Sequence, residues 1–253
     1  MRVLAVPSSI RAPQRRQYLT SFLVNDTVAI DAGTLAYGLA RRQQARIKHI
    51  FLTHTHLDHI ASLPIFLDTV YDGSGDCVTI HATAAVLDCL RRDVFNNRVW
   101  PDFIAISEQA PPYLKLHEIE PRRAVEVEGL RITPIPVNHV VECQGYVIGD
   151  GRSSVVFSSD TGPTEEIWRV AAALPDLKAV FLECTFPNDL AWLADLAKHL
   201  TPVMVEKECA KIPAGARILA VHLHSRYRAQ VEQELQQVDR EIEVVRFGRE
   251  YPL

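Results

Sequence analysis

Apolar positions along this chain recur mostly with the two-residue period of strands, interrupted by stretches with a helical period. Strand-like runs fall at Val3–Val6, Ser21–Val24, Val28–Asp31, Ile47–Thr53 and Val78–His81. A second set falls at Tyr113–Ile119, Leu130–Val137, Tyr146–Gly149, Ser153–Ser158, Ala179–Glu183, Arg217–His222 and Ile242–Phe247. Helical patterns cover Leu35–Arg42, Asp58–Tyr71, Ala82–Val94, Pro163–Ala173, Leu190–His199, Thr201–Lys211 and Arg226–Val238. Asn25-Asp26 is expected to turn a hairpin between the second and third strands. Thr161-Gly162-Pro163 and Thr201-Pro202 each place a proline where a helix should start. Met1–Pro7 is too short and too soon interrupted for a secretory signal and reads as the first strand. Strands in both halves with helices between them predict two sheets packed face to face with helices outside, a four-layer α/β arrangement.

Composition adds limits to this picture. A chain of 253 residues suits one large domain, expected to span 1–253. Hydrophobic residues at 47% and charged ones at 23% are ordinary for a soluble protein, and no apolar run approaches the ~20 residues of a membrane span. The five cysteines are scattered, odd in number and never in a Cys-x-x-Cys pair, which predicts reduced thiols and a cytoplasmic location. A net charge of −4 argues against a large nucleic-acid partner. A small anionic substrate stays compatible with that charge, because bound cations reverse the local field.

The chemistry concentrates in His54-Thr55-His56-Leu57-Asp58-His59, at the end of the apolar run Ile47–Leu52. A strand ending in His-x-His sends both imidazoles to one side, and the following Asp-His enters a helical segment. Ligands from the strand end and from the helix start can therefore converge on two adjacent metal ions.

This His-x-His-x-Asp-His motif resembles the signature of the metallo-β-lactamase superfamily, which implies its αββα sandwich. The resemblance implies further ligands at His139, after Leu130–Val137, and at Asp160, after Ser153–Ser158, as a bridging aspartate. The last ligand follows Arg217–Val221, where His222 is preferred and His224 is the alternative. The implied division puts His54, His56 and His139 on one metal and Asp58, His59 and His222 on the other. Two divalent ions are expected, Zn²⁺ with Mn²⁺ or Fe²⁺ as alternatives.

Two further segments, Val94-Phe95-Asn96-Asn97-Arg98-Val99-Trp100-Pro101-Asp102-Phe103 and Leu177–Asn188 with Lys198-His199-Leu200-Thr201-Pro202, resemble the class II cyclic-nucleotide phosphodiesterases. The likeness implies hydrolysis of 3′,5′-cyclic nucleotides such as cyclic AMP and cyclic GMP to 5′-monophosphates, by a metal-bridging hydroxide. It also leaves a homodimer open. Asp58, His199 and Glu183 are the expected catalytic residues, with His199 as proton donor positioned by Glu183. Asn96, Asn97 and Trp100, with Phe95, are expected to contact the nucleobase. Arg226 reads as a solvated helix start before a phosphate contact, Cys184 as a buried thiol, and His49, His81 and His117 receive no role. Ribonuclease Z, or another small-diester hydrolase on the same site, is the alternative, because His222-Leu223-His224-Ser225-Arg226-Tyr227 partly resembles it. A basic, Gly-rich arm for gripping transfer RNA is absent from the sequence. A di-iron redox protein would usually carry a glutamate inside the metal motif, and none stands there.

Overall fold

Fourteen strands carry the apolar runs in a computed structural model that describes residues 1–8, 18–109 and 111–253. In chain order β1 (Arg2–Ala5), β2 (Phe22–Val24), β3 (Val28–Ile30), β4 (His49–Phe51), β5 (Val78–Ala82) and β6 (Leu114–Glu118) belong to one sheet. The strands β7 (Val125–Val127), β8 (Leu130–Pro136), β9 (Gln144–Gly149), β10 (Ser154–Phe157), β11 (Leu177–Glu183), β12 (Arg217–Val221) and β13 (Ile242–Val244) form the other. The last, β14 (Glu250–Pro252), returns to the first sheet beside β1. Their orders are β14-β1-β2-β3-β4-β5-β6 and β13-β12-β11-β10-β9-β8-β7.

The two sheets repeat one plan. Each begins with three antiparallel pairings and then switches to three parallel ones, at β3–β4 in the first and β10–β11 in the second. Side chains alternate between two buried faces, as strand geometry requires. Phe51 points into the cluster between the sheets, while Ile50 and Leu52 pack against the outer helices. Likewise Ala179 and Phe181 face inward and Val180 and Leu182 outward. The three apolar clusters are the three interfaces of an αββα sandwich, as the sequence predicts.

Several expected helices are shorter or divided. Asp58–Tyr71 becomes Leu57–Ile60 and Leu63–Val70. Pro64 lacks the N–H that would continue the first piece, and the carbonyl of His59 is taken by the N–H of Ala32 at 2.7 Å. Leu35–Arg42 breaks at Leu39-Ala40, where the chain is extended. The helix expected from Pro163 begins only at Glu166, whereas Pro202 does open its helix behind Thr201. Ala82–Val94 is an α-helix over Ala84–Cys89 followed by a wider π turn over Leu90–Val94. Asn25 and Asp26 both take positive φ, 49° and 67°, as the predicted hairpin turn needs. The short strands β7 and β14 and the helix Phe103–Ser107 carry too few alternations to stand out in the sequence.

Candidate metal centre

The carboxyl ends of the strands near both switch points meet at one edge of the sandwich. Such ends collect functional groups because loops leaving neighbouring strands diverge there. After β4 the chain delivers His54 and His56, then Asp58 and His59 from the turn Leu57–Ile60. His139 follows β8, Asp160 follows β10 and His222 follows β12. The structure gathers these side chains into two groups, His54, His56, His139 and Asp160, and Asp58, His59, Asp160 and His222. In each group the ligand-type atoms lie within 4.8 Å of one another. Asp160 belongs to both, with Oδ2 3.7 Å from His54 Nε2, 3.3 Å from His59 Nε2 and 3.4 Å from His222 Nε2. Asp58 Oδ2 lies 3.0 Å from His222 Nε2, and His139 Nε2 lies 3.2 Å from His56 Nδ1. His224 belongs to neither group.

Three strand ends reach the site through left-handed backbone at non-glycine residues: Asp31 (φ 60°), Ser159 (φ 54°) and His222 (φ 58°). That conformation is costly for L side chains and persists where surrounding structure enforces it. Gly33 explains part of the enforcement. A Cβ there would stand 1.9 Å from the carbonyl oxygen of Asp58 and 2.7 Å from that of Thr20, so only glycine lets these segments pass.

Two buried carboxylates orient the imidazoles from behind. Asp31 accepts from His59 Nδ1 at 2.6 Å and from the backbone N–H of Thr53 at 2.8 Å. The Thr53 hydroxyl also donates to Asp31, at 2.9 Å, so its oxygen accepts from His54 Nδ1, likewise at 2.9 Å. The second half of the fold repeats the device. Glu183 accepts from His199 Nδ1 at 2.7 Å, from the Thr185 hydroxyl at 2.9 Å, and from the N–H groups of Thr161 and Leu200. The Thr185 oxygen then accepts from His222 Nδ1 at 2.9 Å. His139 Nδ1 donates to the carbonyl of Lys198 at 3.0 Å. Each Nδ1 thus carries the proton, and the Nε2 atoms of His54, His59, His139 and His222 turn towards the cluster.

Those Nε2 atoms test whether a metal fits. His54 and His59 are fully buried, and their Nε2 atoms make no directed hydrogen bond. An unpartnered nitrogen in a dry site is costly unless a Lewis acid meets it. The imidazole and carboxylate donors suit a divalent cation, and an anchored Nδ1 behind each donor is the usual way a protein fixes metal-ligating histidines.

Charge follows the same layout. Burial pushes the Asp160 carboxyl up, but the imidazoles of His222, His59 and His54 outweigh it and hold the group well below the usual carboxylate range. Burial likewise acts upward on Asp58, and its hydrogen bond to His222 with the charge of His59 brings it below its ordinary value. Burial drives His54 well below its ordinary value, towards the neutral form a metal needs. For His199, burial acts downward, yet the Glu183 carboxylate prevails and raises it to about 9. Its ring stacks at 5.4 Å on His222 and stands edge-on to His139 at 5.1 Å.

The side chains expected at the nucleobase also make bonds within their own loop. The Asn96 side chain bonds to the carbonyl of Arg92 and the N–H groups of Arg98 and Val99, and Asn97 accepts from the N–H of Asp102. These bonds close their own loop. Trp100 packs edge-on to Phe103, and Phe95 is fully buried. Among the described hydrogen bonds and ring contacts, none joins Asn96, Asn97 or Trp100 to the cluster. Arg226 lies 5.6 Å from the Tyr227 ring centroid and is exposed, and Cys184 is buried as expected. Sequence reasoning gave no role to Asp31, Thr53 or Thr185. Asp31 carried the one available signal, a carboxylate ending a strand in Asp31-Ala32-Gly33. A cleft of about 270 Å³ opens beside Asp58, Thr185 and His222.

Comparison with known proteins places this geometry in a family. The model of the β-lactamase superfamily domain matches residues 26–223. A probable 3′,5′-cyclic-nucleotide phosphodiesterase of Yersinia pestis is 28% identical, over 77% of this chain and 67% of that protein. The 3′,5′-cyclic-nucleotide phosphodiesterase 1 of Saccharomyces cerevisiae is 24% identical over 71% of this chain, which spans only 57% of that relative's length. Ribonuclease Z of Borrelia hermsii is 24% identical over 85% of this chain and 83% of that protein. The crystal structure of unliganded yeast PDE1 superposes with a TM-score of 0.82 at 18% identity, covering 100% of this chain and 99% of that one. The chain therefore belongs to the β-lactamase superfamily, with the metallo-β-lactamase fold.

Proposed function

We propose that this chain is a metal-dependent phosphodiesterase that hydrolyses 3′,5′-cyclic nucleotides to 5′-monophosphates. The observation that carries the reading is the pair of ligand groups joined through Asp160, with the His199–Glu183 pair beside them. Likeness to phosphodiesterases of Yersinia pestis and Saccharomyces cerevisiae supports the substrate class. His54, His56, His139 and Asp160 would hold one divalent ion, and Asp58, His59, His222 and the shared Asp160 a second. When bound, the ions supply positive charge against the phosphoryl oxygens and activate water at neutral pH.

The chain's own groups do the rest. Asp31–Thr53 and Glu183–Thr185 hold the imidazoles in register. Glu183 accepts from His199 Nδ1 and favours its protonated form, which delivers a proton to the departing alkoxide oxygen. Such proton delivery contributes about 10²–10⁴-fold, less than the loss expected when the shared Asp160 ligand is removed. Among the described residues no helix is long and apolar enough to cross a membrane.

A ribonuclease Z-like activity is the second reading, favoured by the long alignment with the Borrelia hermsii protein. Cyclic AMP, cyclic GMP and precursor transfer RNA offered side by side to metal-replete protein separate the two. Release of 5′-AMP or 5′-GMP, abolished by Asp160→Ala, supports the first. Cleavage of the RNA alone supports the second.

A further inference from the structure

We propose that the cleft of about 270 Å³ beside Asp58 and His222 is the subsite for the substrate's nucleobase, with Phe247 as its stacking face and Ser225 and His224 at its polar edge. The inference rests on the phosphodiesterase reading and names the part of the substrate that gives it specificity. Asp58 and His222 line both the cleft and the metal centre, so a phosphate held at the centre brings its nucleoside to the cleft mouth.

The walls suit a flat heteroaromatic ring. Leu19, Leu223 and Phe247 contribute apolar side chains to the lining, and the guanidinium of Arg228 lies 5.8 Å from the Phe247 ring centroid. Stacking on an aromatic side chain is tolerant of base identity, whereas a few convergent polar groups read the base edge. The N–H of His224 donates to the carbonyl of Thr185 at 3.1 Å, which ties this wall to the residue that orients His222. His224 Nδ1 accepts from the N–H of Arg226 at 3.3 Å, so in the neutral ring Nε2 carries the proton and is a donor. The volume falls just under the ~300–1,000 Å³ of drug-sized ligand pockets and suits one nucleoside better than a run of stacked nucleotides.

The test compares cyclic AMP with 1-deoxyribose 3′,5′-cyclic phosphate, the same diester without a base or any aromatic ring, in metal-replete wild type, Phe247→Ala and Ser225→Trp. Loss of a base-stacking side chain is worth about 5- to 150-fold. The ratio of kcat/KM for cyclic AMP to that for the baseless diester should fall by that factor in Phe247→Ala, mainly through KM. Ser225→Trp fills the cleft from its polar edge and should lower the ratio similarly, which guards against a folding defect peculiar to Phe247→Ala. A ratio unchanged in both variants overturns the subsite. Should wild type cleave the baseless diester but not cyclic AMP, the phosphodiesterase reading for cyclic nucleotides fails by itself. The subsite is then judged by inhibition of the baseless reaction by 5′-AMP: weaker inhibition in the variants sustains it, and equal inhibition overturns it.

Discussion

Exchanging Asp31 for asparagine should uncouple metal affinity from folding. Asp31 is 1% exposed, and its two oxygens divide their work. Oδ1 accepts from the N–H of Thr53, while Oδ2 accepts from His59 Nδ1. In Asp31→Asn the amide oxygen can keep the Thr53 bonds, but the amide nitrogen replaces Oδ2 and donates. His59 must then present a bare Nδ1, and its proton moves to Nε2, the atom that faces Asp160 and Asp58. A protonated Nε2 cannot ligate. Loss of a carboxylate behind a metal-bound histidine typically costs 10–100-fold in affinity, or about 1.4–2.7 kcal/mol. Asp31→Ala should be worse, because it leaves His59 Nδ1 and the Thr53 N–H as buried donors without acceptors, at about 1–3 kcal/mol each. The assay is chelator competition for the bound metal, paired with thermal melts with and without metal. Asp31→Asn should melt near wild type when metal-free and show a smaller metal-induced shift, because stabilisation by a ligand follows its affinity. An unchanged affinity in Asp31→Asn would refute the claim that Asp31 sets the His59 tautomer.

Further expectations follow from individual side chains. His199→Gln should lower kcat for cyclic AMP about 10²–10⁴-fold with metal content intact, and lower it far less for a p-nitrophenyl ester, whose leaving group needs no proton; equal losses on both substrates would remove His199 as proton donor. Gly33→Ala should cost at least 1–3 kcal/mol of stability in urea unfolding and displace the Asp58 carbonyl, because the added Cβ meets backbone that cannot yield. Burial, with the charges of His49 and His117, lowers His81 to about 3, while its ring stacks flat on Phe51 at 4.2 Å. The unfolded chain takes up this proton near pH 6.5 and the folded chain does not, so the contribution is fully present above about 6.5. It should be lost at about 1.4 kcal/mol per pH unit between there and about 3. The difference in stability between wild type and His81→Phe should shrink or reverse across that window, and a pH-independent difference would contradict the assignment.

The His-x-His-x-Asp-His run was legible because strand period and ligand chemistry coincide within six residues. His139, Asp160 and His222 were legible only through the resemblance, since each stands alone after its own strand and nothing local ties it to the others. The relay through Thr53 and Thr185 was not readable, because a threonine at a strand end is ordinary and its role depends on a carboxylate from another strand. The local bonds of Asn96 and Asn97 were not legible either. Their side-chain oxygens accept from the backbone of their own turn, a common use of asparagine that leaves no mark in the sequence pattern. The fold class followed from strands in both halves, but the repeated plan of the two sheets did not, because pairing direction leaves little trace in single-strand patterns.

The most direct test strips the protein of metal with a chelator and titrates Zn²⁺, Mn²⁺ or Fe²⁺ back, reading metal bound per chain and cyclic AMP hydrolysis on the same samples. Two ions per chain, with hydrolysis appearing as the sites fill and both signals reduced in Asp160→Ala, is the predicted result. Hydrolysis that persists in metal-free protein, or full metal binding in Asp160→Ala, would contradict a reaction centre built around that shared carboxylate.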